Sequence, residues 1–81
     1  MVREDIEIME DKKILRAAMR ERNMKQTELG ERLGMLQSSV SGNLNRTRMG
    51  LDVFVKMLNA MDYDVVVTDR NTGETVWQVK I

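Results

Sequence analysis

The stretch 26–45, QTELGERLGMLQSSVSGNLN, leaves the chain little choice of local fold. Leu29 and Leu33 stand one helical turn apart, the spacing at which side chains share one face of an α-helix. Gly34 follows at once, where a chain leaving a helix takes a left-handed backbone that glycine adopts cheaply. Met35 is placed to cover the bend, and Val40 and Leu44 restart the apolar stripe at i and i+4. Two short helices joined by a tight turn are expected, over about 26–33 and 37–45. Between the apolar anchors lie Gln37, Ser38, Ser41, Asn43 and Asn45. Short amides and hydroxyls are a poor choice for a helix meant only to be stable, and they suit base edges and phosphates.

Eighty-one residues allow one domain with a small core. The chain has no cysteine and no histidine, which removes disulfides, the usual zinc sites and most nucleophilic or acid–base constellations. No metal, no cofactor and no enzymatic activity are expected. No apolar run approaches the ~18 residues of a membrane span. The opening Met1-Val2-Arg3-Glu4-Asp5 has no apolar h-region, so no signal peptide is expected and a cytoplasmic location is.

Net charge is zero, but its distribution is not even. Residues 1–11 carry five acidic side chains against Arg3, a net −4. Residues 12–56 carry ten basic against four acidic side chains, a net +6, and residues 57–81 return to −2. The positive charge coincides with the two-helix stretch, and the local field rather than net charge governs approach to a phosphate backbone.

The acidic segment 1–11 reads either as an arm or as an extension of the first helix, with Asp11 as a plausible cap. Ile14, Leu15, Ala18, Met19 and Arg22 follow helical spacing over about 12–23, with Arg16 and Arg20 on another face. Leu51, Phe54, Val55, Leu58 and Met61 form the stripe of a further helix over about 51–61. After Asp62 the period changes. Val65, Val66, Val67 and Thr68 are β-branched, Asp69-Arg70-Asn71-Thr72-Gly73-Glu74 carries turn residues, and Thr75 to Ile81 resume alternation. A β-hairpin over 63–81 is expected, with Gly73 left-handed. An isolated hairpin is marginal in water. It either folds back on the preceding helix or forms the seam of a homodimer through Val65, Val67, Val76, Trp77 and Val79; the seam is the expectation.

The run Gln26-x-x-Leu29-Gly30-x-x-x-Gly34-x-x-Gln37-Ser38-x-Val40-Ser41 resembles the helix-turn-helix of the Xre/Cro group, the lambda-repressor-like DNA-binding domains. The resemblance covers about 12–62. It implies a mainly α fold, a four- to five-helix lambda-repressor-like DNA-binding domain, here with a C-terminal β-hairpin. Three positions depart from the common pattern. Gly30 stands where Ala is usual, at a propensity cost of ~1 kcal/mol. Leu36 stands where Ser or Thr usually caps the helix, a loss of about 0.5–2 kcal/mol. Gly42 stands where a basic or polar contact residue is frequent.

Site roles follow from the resemblance and from side-chain chemistry together. Gln37, at the start of the second helix of the pair, suits a bidentate contact to adenine N6 and N7. Ser38 and Ser41 lie within reach of the same groove. Gln26 opens the first helix of the pair over the DNA backbone, and the resemblance implies that it also braces Gln37. Asn45, Arg46 and Arg48 read as phosphate clamps; Leu36 is either buried or touches a thymine methyl, and a partly exposed apolar contact is the expectation. The ending GLDVFVKMLNAM plus a Val-rich strand is similar to the C-terminal half of antitoxins from toxin–antitoxin operons, which dimerise through such strands. The expected function is sequence-specific binding of double-stranded DNA at a pseudo-palindromic operator, as a homodimeric transcriptional repressor. The alternative is an antitoxin that binds a toxin protein and represses its own operon.

Overall fold

Helix ends, more than helix interiors, decide how this chain turns. The computed structural model describes residues 8–81, so most of the acidic segment, residues 1–7, lies outside the described residues. Helices α1 (Asp11–Glu21), α2 (Gln26–Leu33), α3 (Gln37–Asn45) and α4 (Leu51–Ala60) precede strands β1 (Val66–Thr68) and β2 (Thr75–Gln78). The protein is mainly helical with one small two-stranded antiparallel sheet.

Three of the four described helices stop in the same way. The residue after the last turn is left-handed: Asn23 at φ 51°, Gly34 at 68° and Asp62 at 66°. Asn, Gly and Asp are the residues that tolerate this backbone. Two N–H groups then return to carbonyls of the helix just left. Met24 donates to Met19 at 2.8 Å and Asn23 to Arg20 at 3.1 Å; Met35 donates to Gly30 at 2.8 Å and Gly34 to Glu31 at 3.3 Å; Tyr63 donates to Leu58 at 2.9 Å and Asp62 to Asn59 at 3.0 Å. These pairs satisfy carbonyls that a helix end would otherwise leave open. The next side chain, Met24, Met35 or Tyr63, drops back onto the core, the hydrophobic contact that accompanies this stop.

The core joins all four helices through Leu15, Ala18, Met24, Leu29, Val40, Leu44, Met57, Leu58 and Met61. Helix α4 packs on both α1 and α2, so its buried face is wider than a single stripe. Met57 is fully buried, a position the expected stripe did not include. Leu51, which that stripe did include, is 63% exposed because it sits in the first turn beyond the reach of α1 and α2. Helix α1 starts one residue earlier than expected: Asp11 is its first residue and Glu10 holds the cap position without a side-chain cap. The Asp11 carboxylate accepts the Lys12 N–H at 2.7 Å, and its charge suits the positive end of the helix.

Gly30 and Gly42, on adjacent helices, have opposite surroundings. A Cβ on Gly30 would lie 2.7 Å from the Met35 carbonyl oxygen and 3.5 Å from Val40 Cγ2. The turn between α2 and α3 therefore closes directly onto the α2 backbone. A Cβ on Gly42 would meet nothing within 4 Å. Gly42→Ala is expected to add about 1 kcal/mol from helix propensity alone, or about 4–8 °C in Tm. Gly30→Ala is expected to lower Tm, because overpacking against backbone costs about 1–3 kcal/mol and outweighs the same propensity gain. Thermal melts followed by circular dichroism check the pair, and a Gly30→Ala variant as stable as the parent would contradict the close approach.

Candidate nucleic-acid interface

The turn that Gly30 permits aims α3 outward. Leu36 occupies the cap position of α3 in extended backbone, and no side chain caps the helix. Its carbonyl accepts Ser39 N–H at 2.9 Å and Val40 N–H at 3.2 Å. Val40 and Leu44 hold the helix to the core at 0% and 1% exposure. Its first turn presents Gln37 and Ser38, both exposed, and Ser41, half-buried, lies beside the Val40 stripe. Leu36 stands beside them at 74% exposure. The sequence QSSVSGNLN gives α3 no charged residue, so what it presents is hydrogen-bonding capacity and the partial positive charge of an open helix start.

Gln26 is the first residue of α2 and is half-buried. It lines an open cleft of about 340 Å³ with Arg16, Met19, Arg20, Asn23, Met24 and Lys25. Among the described residues no hydrogen bond joins Gln26 to Gln37. Sequence reasoning did not assign Arg20 or Lys25 to this site. The signal was present: Arg16 and Arg20 are four residues apart on α1, and Lys25 immediately precedes α2.

The cations divide into two groups. One group is spent on helix ends. Lys12 Nζ donates to the Arg46 carbonyl; Arg16 Nη2 donates to the Leu44 carbonyl at 3.3 Å and to Asn45 Oδ1 at 3.1 Å. Arg22 donates to the Met61 carbonyl at 3.0 Å and the Asp62 carbonyl at 3.2 Å, with its guanidinium carbon 4.0 Å from the centre of the Tyr63 ring. Arg32 donates to the Ala60 carbonyl at 2.9 Å and lies 3.5 Å from Glu28 and 3.8 Å from Asp62. Cations at helix C-termini contribute about 0.3–1 kcal/mol each at exposed sites. Arg46 and Arg48, in the loop after α3, belong to the other group: both are exposed, and their guanidinium groups have no partner among the described residues.

The two α3 asparagines are turned back on their own helix. Asn43 Nδ2 donates to the Ser39 carbonyl at 2.9 Å. Asn45 Nδ2 donates to the Ser41 carbonyl at 2.9 Å and lies 3.4 Å from Ser41 Oγ. With Arg16 on its oxygen, the whole Asn45 amide is engaged within the protein.

The hairpin stands away from this surface. Val66 pairs with Gln78, Val67 with Trp77 and Thr68 with Thr75, and Val76 is the extra residue at the irregularity between the last two pairs. Asp69 N–H donates to the Glu74 carbonyl at 2.8 Å, and Asn71 N–H to Asp69 Oδ1 at 2.8 Å. Gly73 is left-handed at φ 76°, as expected. Val79 N–H donates to the Val65 carbonyl at 2.7 Å, so alternation puts Val65, Val67, Trp77 and Val79 on one face. Neither strand packs on a helix. Trp77 is 68% exposed, and Val67 and Val76 are close to half-exposed. Among the described residues there is no cluster of metal-binding side chains, and no helix is long and apolar enough to cross a membrane. Comparison with protein-family models, curated proteins and solved structures gave no match.

Proposed function

We propose that this chain is a sequence-specific DNA-binding regulator of the lambda-repressor-like, Xre/Cro type, acting as a homodimeric repressor. The observation that carries the reading is the pairing of α2 and α3 through a tight left-handed turn, with the polar, uncapped start of α3 exposed. A helix held in this way enters a major groove by its N-terminal residues. Gln37 reads a base edge there, with Ser38 and Ser41 beside it. The open start of α3 and the cleft at Gln26 favour phosphate oxygens. Arg46, Arg48, Arg20 and Lys25 supply the free positive charge around that surface. Bound across a promoter, two such helices in successive grooves block polymerase by occlusion.

Gln37→Ala is expected to weaken binding to a selected duplex by about 1–3 kcal/mol while leaving a scrambled duplex unaffected. Arg48→Ala is expected to weaken both alike and to flatten the log–log salt dependence by about 0.9. Fluorescence anisotropy across a salt series separates the two. Equal losses on both duplexes for Gln37→Ala would remove it as a base reader, and an unchanged slope for Arg48→Ala would point that arginine away from DNA.

The dimer half of the reading rests on the exposed part of the hairpin face, Val67 and Trp77 with Val76 beside them; Val65 and Val79 on the same face are half-buried, and Val65 packs against the helical core. A hairpin with no helix behind it gains stability by pairing with or packing on another chain. Such a dimer needs its two α3 helices roughly 34–36 Å apart, the spacing of successive major grooves. The same uncovered face also favours the second reading, an antitoxin whose hairpin engages a toxin protein. Trp77→Ala removes an exposed side chain and leaves the helical core intact. If the seam is homodimeric, losing a buried aromatic worth about 2 kcal/mol or more raises the dimer dissociation constant at least about thirtyfold, read by sedimentation. An unchanged dimer would place the interface elsewhere and leave the hairpin for another partner.

A further inference from the structure

The end of α3 is built differently from the ends of α1, α2 and α4. Arg46, the residue after α3, is extended at φ −70° and ψ 151°, and its N–H reaches the Asn43 carbonyl only at 3.4 Å. There is no left-handed stop and no returning pair of N–H groups. In their place stand Lys12 and Arg16, four residues apart on α1 and so on one face of it. Lys12 reaches the Arg46 carbonyl, and the single Arg16 Nη2 donates to both the Leu44 carbonyl and Asn45 Oδ1. The Asn45 amide then passes the link on to Ser41, one turn back along α3. A chain of donors thus runs from α1 through Asn45 to the exposed side of α3.

We infer that Arg16, assisted by Lys12, is a positioning residue for α3: it sets the pose of the helix through Asn45 and Ser41 and does not itself hold a phosphate. The inference rests on the DNA-binding reading for its consequence, though the capping of α3 stands without it. The two N–H groups of Nη2 are held in one plane at the end of a rigid guanidinium and so meet two acceptors side by side; a lysine keeps the charge but not that fixed pair. A phosphate contact would tolerate lysine, because charge alone supplies most of that interaction.

The test compares the full-length parent with Arg16→Met and Arg16→Lys in two measurements. The first needs no DNA. Amide hydrogen exchange at Leu44 and Asn45 is expected to quicken roughly tenfold in Arg16→Met, the scale of one charge-assisted hydrogen bond, while amides of α4 keep their parental rates. Exchange at Leu44 and Asn45 no faster than in the parent would overturn the capping role. The second uses a duplex selected from random sequence and a scrambled control. Both variants are expected to lose roughly three- to tenfold on the selected duplex and little on the control, with the salt slope unchanged. A slope flattened by about one in Arg16→Met and restored in Arg16→Lys would make Arg16 a phosphate contact and overturn the inference. If the parent itself fails to distinguish the two duplexes, the DNA-binding reading fails, and the exchange result alone decides the capping of α3.

Discussion

The structure depends on one close approach, that of the Met35 carbonyl to Gly30. With no side chain at position 30 the chain leaving α2 folds directly over its own helix, and Gly34 supplies the left-handed residue that turns it. Two backbone elements in contact leave no side-chain freedom to absorb error. The angle between α2 and α3 is fixed by the turn itself, and Val40 and Leu44 then lock α3 onto the core. The start of α3, with Gln37 and Ser38, inherits its direction from that contact. A glycine that looks like a propensity loss in the sequence is thus the condition for the turn.

A second constraint comes from α1. Its cations reach the C-terminal ends of two other helices, with Lys12 and Arg16 on α3 and Arg22 on α4. Arg32 of α2 joins Arg22 on the last carbonyls of α4. These contacts tie the helices together at their ends while the apolar side chains tie them at their middles. They also change what the charge distribution means. The positive excess over residues 12–56 looks in the sequence like one field facing a polyanion. Four of those ten cations are used inside the fold; of the six that remain, Arg20 and Lys25 line the cleft at Gln26 and Arg46 and Arg48 follow α3.

The elements themselves were legible because local rules act at short range. The i and i+4 stripes, Gly34, Asn23 and the Asp69 to Gly73 turn each determine their own neighbourhood, and the four helices and two strands lie where those signals put them. What was not legible came from long-range packing. Leu51 has the right spacing for the core but no helix opposite it, and Met57 is buried because α4 is flanked on two sides. Asn45 looks like a free amide in the sequence; its nitrogen turns back on Ser41, and Arg16 arrives from 29 residues away to engage its oxygen. The pairing of an Arg with distant carbonyls has no periodicity, so no pattern in one sequence reveals it. The hairpin is the opposite case: its strands and Gly73 are legible, yet no sequence pattern shows that Trp77 stays 68% exposed.

On the function proposed above, the exposed start of α3 is the surface that reads DNA. The most direct measurement is a two-dimensional NMR titration of the full chain with a duplex enriched from a random-sequence pool. Enrichment of a defined sequence is expected, with amide shifts concentrated at Gln26, Gln37, Ser38 and Arg48 and nearly none at the hairpin turn from Asp69 to Gly73. A pool that yields no enriched sequence, or shifts confined to β1 and β2 with α3 unmoved, would contradict it.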